Sequence, residues 1–393
     1  MNRRHLLAAG LCAVASPGLV GSSFAASSDL KLTLLGQALI EHDIPTSAWP
    51  DRDRMAARLA DADACFTNLE TVILGARAGA PTREGLTLHA AGPEVLDTLK
   101  AMNVKLAATS NNHAFDLDSG GILDTLAALR AAGLSSAGSG EDLARAAAPV
   151  IRETPRGTIA LVACATGKVR DGGAATPERP GVNEVRRDVN GQVDATDAAR
   201  VLDALSDAAR RADVVIAYQH NHDWEPDMAM VPAWQRTFAK RCAEAGASVF
   251  VGHGAPLLQG VEIHRGAPLF YGLGNFVFQT EKPPGAYPPE AWESVIVECQ
   301  FRRGRCKSAR LTPITLNEIG RGGLSDLATR GMPSLASGVT ANAILRRVAE
   351  RSSAFGAELD LDAMGVSALL TCPKYRAQHL HLRGTRRVVP TGL

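Results

Sequence analysis

Val249-Phe250-Val251-Gly252-His253-Gly254 decides how the rest of this chain is read, because an apolar run there stops abruptly at polar, chemistry-bearing residues. Four earlier places repeat the pattern. Leu30 to Leu35 runs into Gly36-Gln37, Ala64 to Thr67 into Asn68-Leu69-Glu70, and Val104 to Thr109 into Asn111-Asn112-His113. Val214 to Tyr218 leads into His220-Asn221-His222. In an α/β sheet the side chains just past the carboxyl ends of strands converge on one crevice, where ligands bind. Strand ends carrying Glu, Asn and His together make a metal-ligand set.

Working outward, the segments between these runs have apolar residues on a 3.6-residue period. This predicts helices over Arg52 to Ala62, Pro93 to Met102, Gly121 to Ala132, Ala195 to Arg211 and Pro232 to Ala245. Gly133 and Gly246 fall where C-terminal caps belong, and Pro93 and Pro232 near helix starts. Pro268 to Tyr271, Trp292 to Phe301 and Lys307 to Thr312 read as strands with no helix between them, so the second half adds antiparallel sheet. Alternating strands and helices followed by strands alone predict an α/β fold with two packed sheets and helices outside. The loops Ala76 to Thr87 and Gly167 to Gln192 are long and rich in Gly, Pro and charge, and long loops of this kind are functional or disordered, so either is a candidate to overhang the crevice. The core domain is expected over residues 29–320. Residues 321–393, with a helix from Thr340 to Phe355, read as a C-terminal extension, an appendage or a flap over the site.

The N-terminus speaks to compartment. Arg3-Arg4 precede an apolar run from Leu6 to Val20, and Ser23-Phe24-Ala25 resembles a cleavage signal, so residues 1–25 are expected to be an export signal. Asn2-Arg3-Arg4-His5-Leu6-Leu7 is of the twin-arginine kind, which implies a periplasmic or cell-envelope location. The run is short for a membrane span, and membrane association would require this segment to stay uncleaved. Leu11 before Cys12 argues against a lipid-modified cysteine.

Composition is that of an ordinary globular protein: 46% hydrophobic and 21% charged residues with a formal charge of +1 give no reason to expect disorder or nucleic-acid binding. Six cysteines follow the signal and none forms a Cys-x-x-Cys pair. Cys299 and Cys306 flank Arg302-Arg303-Gly304, a spacing that admits a disulfide across a hairpin, whereas Cys65, Cys164 and Cys242 read as small buried hydrophobes.

Asn68-Leu69-Glu70-Thr71 is followed in order by Ser110-Asn111-Asn112-His113-Ala114 with Asp116 and Gly120, then Thr125-Leu126 and Gly138-Ser139-Gly140. Gly252-His253-Gly254, Gln259-Gly260 and Tyr271-Gly272-Leu273-Gly274-Asn275-Phe276 complete the set. With these motifs the chain resembles the capsule synthesis protein CapA family, the poly-γ-glutamate synthesis accessory proteins related to calcineurin-like metallophosphoesterases. The likeness runs from about Leu30 to Thr312.

The resemblance implies a layered α/β/β/α sandwich of the metallophosphoesterase type and a role in capsule or exopolymer biosynthesis. Residue by residue, it assigns Glu70 as a metal-bridging carboxylate, Asn112 as a metal ligand and His113 as the acid beside the leaving group. His222, or His220 in its place, would bind the ion together with His253. Imidazole and carboxylate suit Mn, Zn or Fe. Lone His42, His89 and His264 are expected to be ordinary surface or core histidines, and Trp224, Glu225 and Trp234 lie where a ligand could be met.

Two positions depart from the family pattern. The first motif is normally Gly-Asp and here is Gly36-Gln37, and Pro256 stands where a second histidine follows the Gly-His motif. A carboxamide is a weak neutral donor and proline offers no side-chain ligand atom. Both positions serve the same ion in the related phosphoesterases, so one divalent ion per chain is expected, with His42, Asp43 and Asp223 near enough in sequence to rebuild part of the other site. Two functions follow as expectations. One is a metal-dependent, phosphoesterase-like hydrolase acting on a phosphoester or an anionic polymer. The other is a non-catalytic envelope component that binds polymer or capsule-assembly proteins.

Overall fold

The computed structural model describes residues 29–372, so the export signal expected over residues 1–25 lies outside the described residues. The strands Leu30–Leu34, Ala64–Asn68, Val104–Ala108 and Ser135–Ala137 lie side by side and parallel, as helix-linked strands do. On the other side of Leu30–Leu34 the antiparallel pair Glu293–Arg302 and Arg305–Leu316 continues the same sheet. A second sheet of six strands runs in the order Val261–His264, Ala267–Phe270, Val249–His253, Val214–Asn221, Gly157–Thr166, Val150–Thr154. Gln37–Leu39 and Asn275–Phe278 form a short parallel pair of their own.

Burial shows how the layers stack. Leu32, Leu34, Phe66 and Leu106 of the first sheet meet Leu161, Ile216, Tyr218 and Val251 of the second in one apolar core between the sheets. Alternate residues of the first sheet, such as Cys65 and Val104, face outward onto Met55, Leu59, Leu96, Leu99 and Leu129. Those belong to the helices Arg52–Leu59, Val95–Ala101 and Asp118–Ala131. The outer face of the second sheet is covered by Ala195–Arg211 and Ala233–Glu244 through Val201, Leu205, Phe238 and Cys242. The result is the α/β/β/α sandwich that the sequence predicts. Gly133 and Gly246 sit past two helices with φ of 74° and 113°, as C-terminal caps.

Two expectations change. Among the described residues, 321–372 are no flap over the crevice: Ala368–Thr371 pairs with Arg305–Leu316, and Leu359–Leu361 pairs with it in turn, so the first sheet gains its edge from this segment. The helix Gly338–Ser353 places Ile344, Leu345 and Val348 in the core between the sheets. Apolar residues on this late helix need a covered face, and the open end of the sandwich supplies one. Cys299 and Cys306 are free, buried thiols: they are not directly opposite in the ladder, where Cys299 faces Ala309 and Cys306 faces Phe301, but their sulfurs interact, with Cys372 against Cys306 as well. Cys65, Cys164 and Cys242 are buried as expected. No helix of the described residues is long and apolar enough to cross a membrane.

Candidate metal centre

Strand alternation builds the centre. In Val214–Asn221 and its continuation, His220 and His222 are two residues apart and project to the same side, their rings stacked with centroids 5.0 Å apart. His253 ends the neighbouring parallel strand in register with His220. Glycines flank it for a reason of space: a Cβ on Gly252 would lie 2.2 Å from the Tyr271 carbonyl oxygen, and one on Gly254, at φ 117°, 2.0 Å from that of Asn221. Glu70 follows the first-sheet strand Ala64–Asn68 and is anchored by its own N–H to the Ala38 carbonyl, 2.9 Å. Asn112 and His113 lie in the turn after Val104–Ala108, where the Asn111 carboxamide oxygen accepts from the His113 N–H at 3.0 Å. Strand ends of both sheets thus meet at one edge of the sandwich.

One ligand atom from each of Glu70, His220 and His222 lies within 4.8 Å of the others. His220 Nε2 is 3.5 Å and His222 Nε2 3.9 Å from Glu70 Oε1, and His220 Nε2 is 2.8 Å from Asn112 Oδ1. His220 Nδ1 is held from behind by the Tyr218 hydroxyl at 3.2 Å and the Asn68 carboxamide at 3.5 Å, the outer support a ligating imidazole needs. Glu70 Oε2 and both ring nitrogens of His222 are buried without a hydrogen-bond partner, and those of His253 have none of good geometry. Such orphans cost about 1–3 kcal/mol each, so their convergence fits a divalent cation. Asn112 Oδ1 borders this group through its contact with His220, and His253, edge-on against Tyr218 at 5.5 Å, lies just outside it.

Burial sets the protonation of these side chains. Desolvation, with Asp116 nearby, pushes the Glu70 carboxyl up to about 8. Desolvation likewise drives the His220 and His222 imidazoles well below their usual range, reinforced for His220 by the neighbouring histidines and for His222 by His113, then Lys168, Arg83 and Lys282. His253 falls to about 3 through burial. Neutral imidazoles are the form that binds metal, and a cation would restore the Glu70 carboxylate.

His113 forms a dyad beside this group. Its Nδ1 is 2.8 Å from Asp116 Oδ2, and Arg83 Nε donates to Asp116 Oδ1 at 2.6 Å. Burial raises Asp116 to about 6 against the pull of the His89 N–H and Arg83, and burial first, then His89, Arg83 and Lys282, hold His113 well below its ordinary value. A neutral His113 whose Nδ1–H is given to Asp116 presents the Nε2 lone pair, so at rest it accepts a proton and acts as an acid only after taking one up.

A cavity of about 410 Å³ opens onto these residues, lined by Glu70, Asn112, His113 and His222 below and by Arg83, His89, Lys168, Trp224, Lys282 and Tyr287 around the sides. Both long loops reach it as expected, through Arg83 and Thr87 of one and Lys168 of the other, and the Arg170 guanidinium bonds the Thr82 carbonyl to tie them together. Lys168 sits 5.1 Å above the Trp224 ring and Lys282 5.0 Å above that of Tyr287. Trp234 instead packs under Arg187 at 4.5 Å, and Glu225 is exposed outside the cavity.

The two departures are here too. Gln37 and Pro256 both line the cavity, and Gln37 Oε1 accepts from the Gly254 N–H at 3.2 Å, so a backbone group uses that oxygen. Asp223 is paired with the Arg187 guanidinium and does not rebuild a ligand set, and Asp43 is exposed. His264 bonds Glu244 at 2.9 Å, an ordinary surface histidine. His89 is a buried core histidine, as one of the two expected readings has it, and it stands at the cavity wall, bonded to Glu41 and tilted against His113 with ring centroids 4.2 Å apart. Arg83, His89, Lys168 and Lys282 escaped the sequence reading because they come from loops, where no periodicity marks a side chain that will face a site.

Among known proteins, the chain is 28% identical over an alignment of 424 residues to y4sH, an uncharacterized protein of Sinorhizobium fredii, covering 84% of this chain and 91% of that one. It is 32% identical to a probable polyglutamine synthesis accessory protein of Mycobacterium tuberculosis over 58% of this chain and 59% of the relative. To the PGA biosynthesis protein CapA of Bacillus subtilis it is 27% identical over 57% of this chain, which spans about half of that relative's length, 54%. The 5'-nucleotidase precursor of Thermus thermophilus superposes with a TM-score of 0.42 at 11% identity, over 73% of this chain and 54% of that one. The profile of the family described as bacterial capsule synthesis protein PGA_cap matches residues 31–280, more than half of the sequence, and this chain belongs to that family.

Proposed function

We propose that this protein works at the cell envelope in the biosynthesis of a capsule or exopolymer of the poly-γ-glutamate type, as a metal-dependent hydrolase acting on the anionic chain. One observation carries the reading: unpartnered ligand atoms of Glu70 and His222 lie at the floor of a cavity whose walls present Arg83, Lys168 and Lys282. Among the described residues neither Lys168 nor Lys282 pairs with a carboxylate, so two ammonium groups backed by aromatic rings stand ready for an anion. A polymer with a carboxylate on every unit meets that charge, and the relatives named for PGA and polyglutamine synthesis agree with it. A divalent ion held by Glu70, Asn112, His220 and His222 would polarise the scissile carbonyl or phosphoryl oxygen and acidify a water. His113, oriented by Asp116, is placed to take the proton.

The experiment is binding and cleavage of poly-γ-glutamate of defined length by Zn- or Mn-loaded protein, read by chain length and released amines. Wild type should bind and shorten the polymer, and His113→Ala should bind without cleaving. Lys168→Glu with Lys282→Glu should weaken binding by about tenfold or more at low salt, an effect that salt erases. Polymer binding unaffected by the charge reversals would sink the polymer reading. The family role without catalysis is the second reading, favoured by Gln37 and Pro256 at two ligand positions; binding by the loaded protein with no cleavage would establish it. Export rests on Arg3-Arg4 and the apolar run after them, and recovery of the chain only from cytoplasm on cell fractionation would remove that part.

A further inference from the structure

A second group of ligand atoms gathers behind His89. The parallel strands Gln37–Leu39 and Asn275–Phe278 end side by side, and the chain leaves them as Glu41-His42 and, shortly after, Glu281. One ligand atom from each of Glu41, His42 and Glu281 lies within 4.8 Å of the others. The two segments are clamped by Gln279, which has no exposed surface: its Oε1 accepts from the N–H groups of Glu41 at 2.8 Å and His42 at 2.9 Å, and its Nε2 donates to the Ala328 carbonyl at 2.8 Å. The ligand-bearing backbone is therefore fixed before any ion arrives.

The group is electrically and sterically incomplete as it stands. His42 Nε2 is buried and has no hydrogen-bond partner, a cost of about 1–3 kcal/mol that a metal bond would remove. Two carboxylates are brought together; Glu41 has only the His89 imidazole as its ionic partner, and Glu281 has none among the described residues. Repulsion between them is offset only by positive charge, and two carboxylates with one imidazole are a donor set that Zn²⁺ and Mn²⁺ accept, with water filling the remaining positions.

We propose that Glu41, His42 and Glu281 form a second divalent-cation site, separate from the Glu70–His220–His222 centre. An ion there holds the Glu41 carboxylate, which in turn holds His89 Nδ1, and His89 packs on the His113 ring. The site is thus a support for the cavity wall made by Leu39, His89 and Lys282.

The test is Zn²⁺ uptake by chelator-stripped full-length protein, measured by equilibrium dialysis and elemental analysis. Wild type should take up two ions, while His42→Ala and Glu281→Gln should each take up one. His222→Ala should also take up one, by losing the other ion, so failure of the Glu70 centre and failure of this site are told apart. Glu281 is exposed, so its variant folds whatever its role, and a thermal melt checks the His42 variant. Zn²⁺ stoichiometry and affinity in both Glu281→Gln and His42→Ala equal to wild type overturns the proposal, as does a single wild-type ion that survives Glu281→Gln.

Discussion

At Gln37 and Pro256 the side chains decide what the centre lacks. Gln37 is 3% exposed and commits its carboxamide oxygen to the Gly254 N–H, while Pro256 shares the same cavity wall with nothing to donate. Gln37→Asp with Pro256→His should let an additional ion bind beside Glu70 and raise hydrolysis of a simple phosphodiester above wild type in Mn or Zn. Each single change should do little, because the ligands of one ion act together and their effects are not additive. Pro256→His also frees the backbone, so melts must match before rates are compared. A well-folded double variant that gains the ion without gaining activity would show that ligand loss is not what limits the site. At this scale Glu70, Asn112 and the His220–His222 pair were legible, since each follows an apolar run that became a strand. His253 was legible as a strand end, and register sets it beside His220, but its distance from the Glu70–His220–His222 group depends on ring packing against Tyr218, which no strand pattern records.

Elements are held to one another by a few buried polar contacts, of which Glu262 is the clearest. It sits on the edge strand Val261–His264 and ties that strand to the helix Ala233–Glu244. Arg236 donates to it at 2.7 and 3.0 Å, Lys240 pairs at 2.8 Å and the Tyr271 hydroxyl donates at 2.8 Å. Burial alone would raise the Glu262 carboxyl, but Arg236, Lys240 and Tyr271 outweigh it and hold the value at about 2, below the ordinary 4.5. The folded value is the lower one, so this contribution is whole above pH 4.5 and drains away as pH falls towards 2. After solvent screening it is worth about 1–2 kcal/mol. Glu262→Gln should therefore be less stable than wild type by about that amount at pH 7, with the two curves converging near pH 2 in denaturation experiments. Parallel curves across that range would mean that the cluster adds no pH-dependent stability. Helices such as Ala195–Arg211 were legible to the residue because one face must be apolar. The strand Gly157–Thr166 went unmarked, since it is buried from Ile159 onward and a continuous apolar run shows no alternation.

For the whole molecule the decisive fact is that a chain read as core plus appendage closes as one sandwich. Composition changes after Gly320, but the apolar residues there have a destination that only the tertiary structure reveals. Leu370 is fully buried on the strand Ala368–Thr371, beside Ala309 and Leu311, while the helix Gly338–Ser353 bridges the layers. Its Ser352 hydroxyl accepts from the Val261 N–H at 2.9 Å in the second sheet, and Arg351 reaches both the Leu258 carbonyl at 2.5 Å and Glu290 at 2.7 Å. Long-range pairing of this kind leaves no local signal, because the partner strand Arg305–Leu316 lies far upstream of Leu370 and reads the same whether or not it is an edge. Leu370→Ala should cost about 2–5 kcal/mol, the usual range for emptying a buried leucine site, and chemical denaturation would read it directly. A stop after Gly356 should do worse, stripping both edge strands and baring Leu311 to water, so that the product melts far below wild type or aggregates through the exposed edge. A truncated chain with an unchanged melt would restore the appendage reading, since an element outside the core can leave without the core noticing.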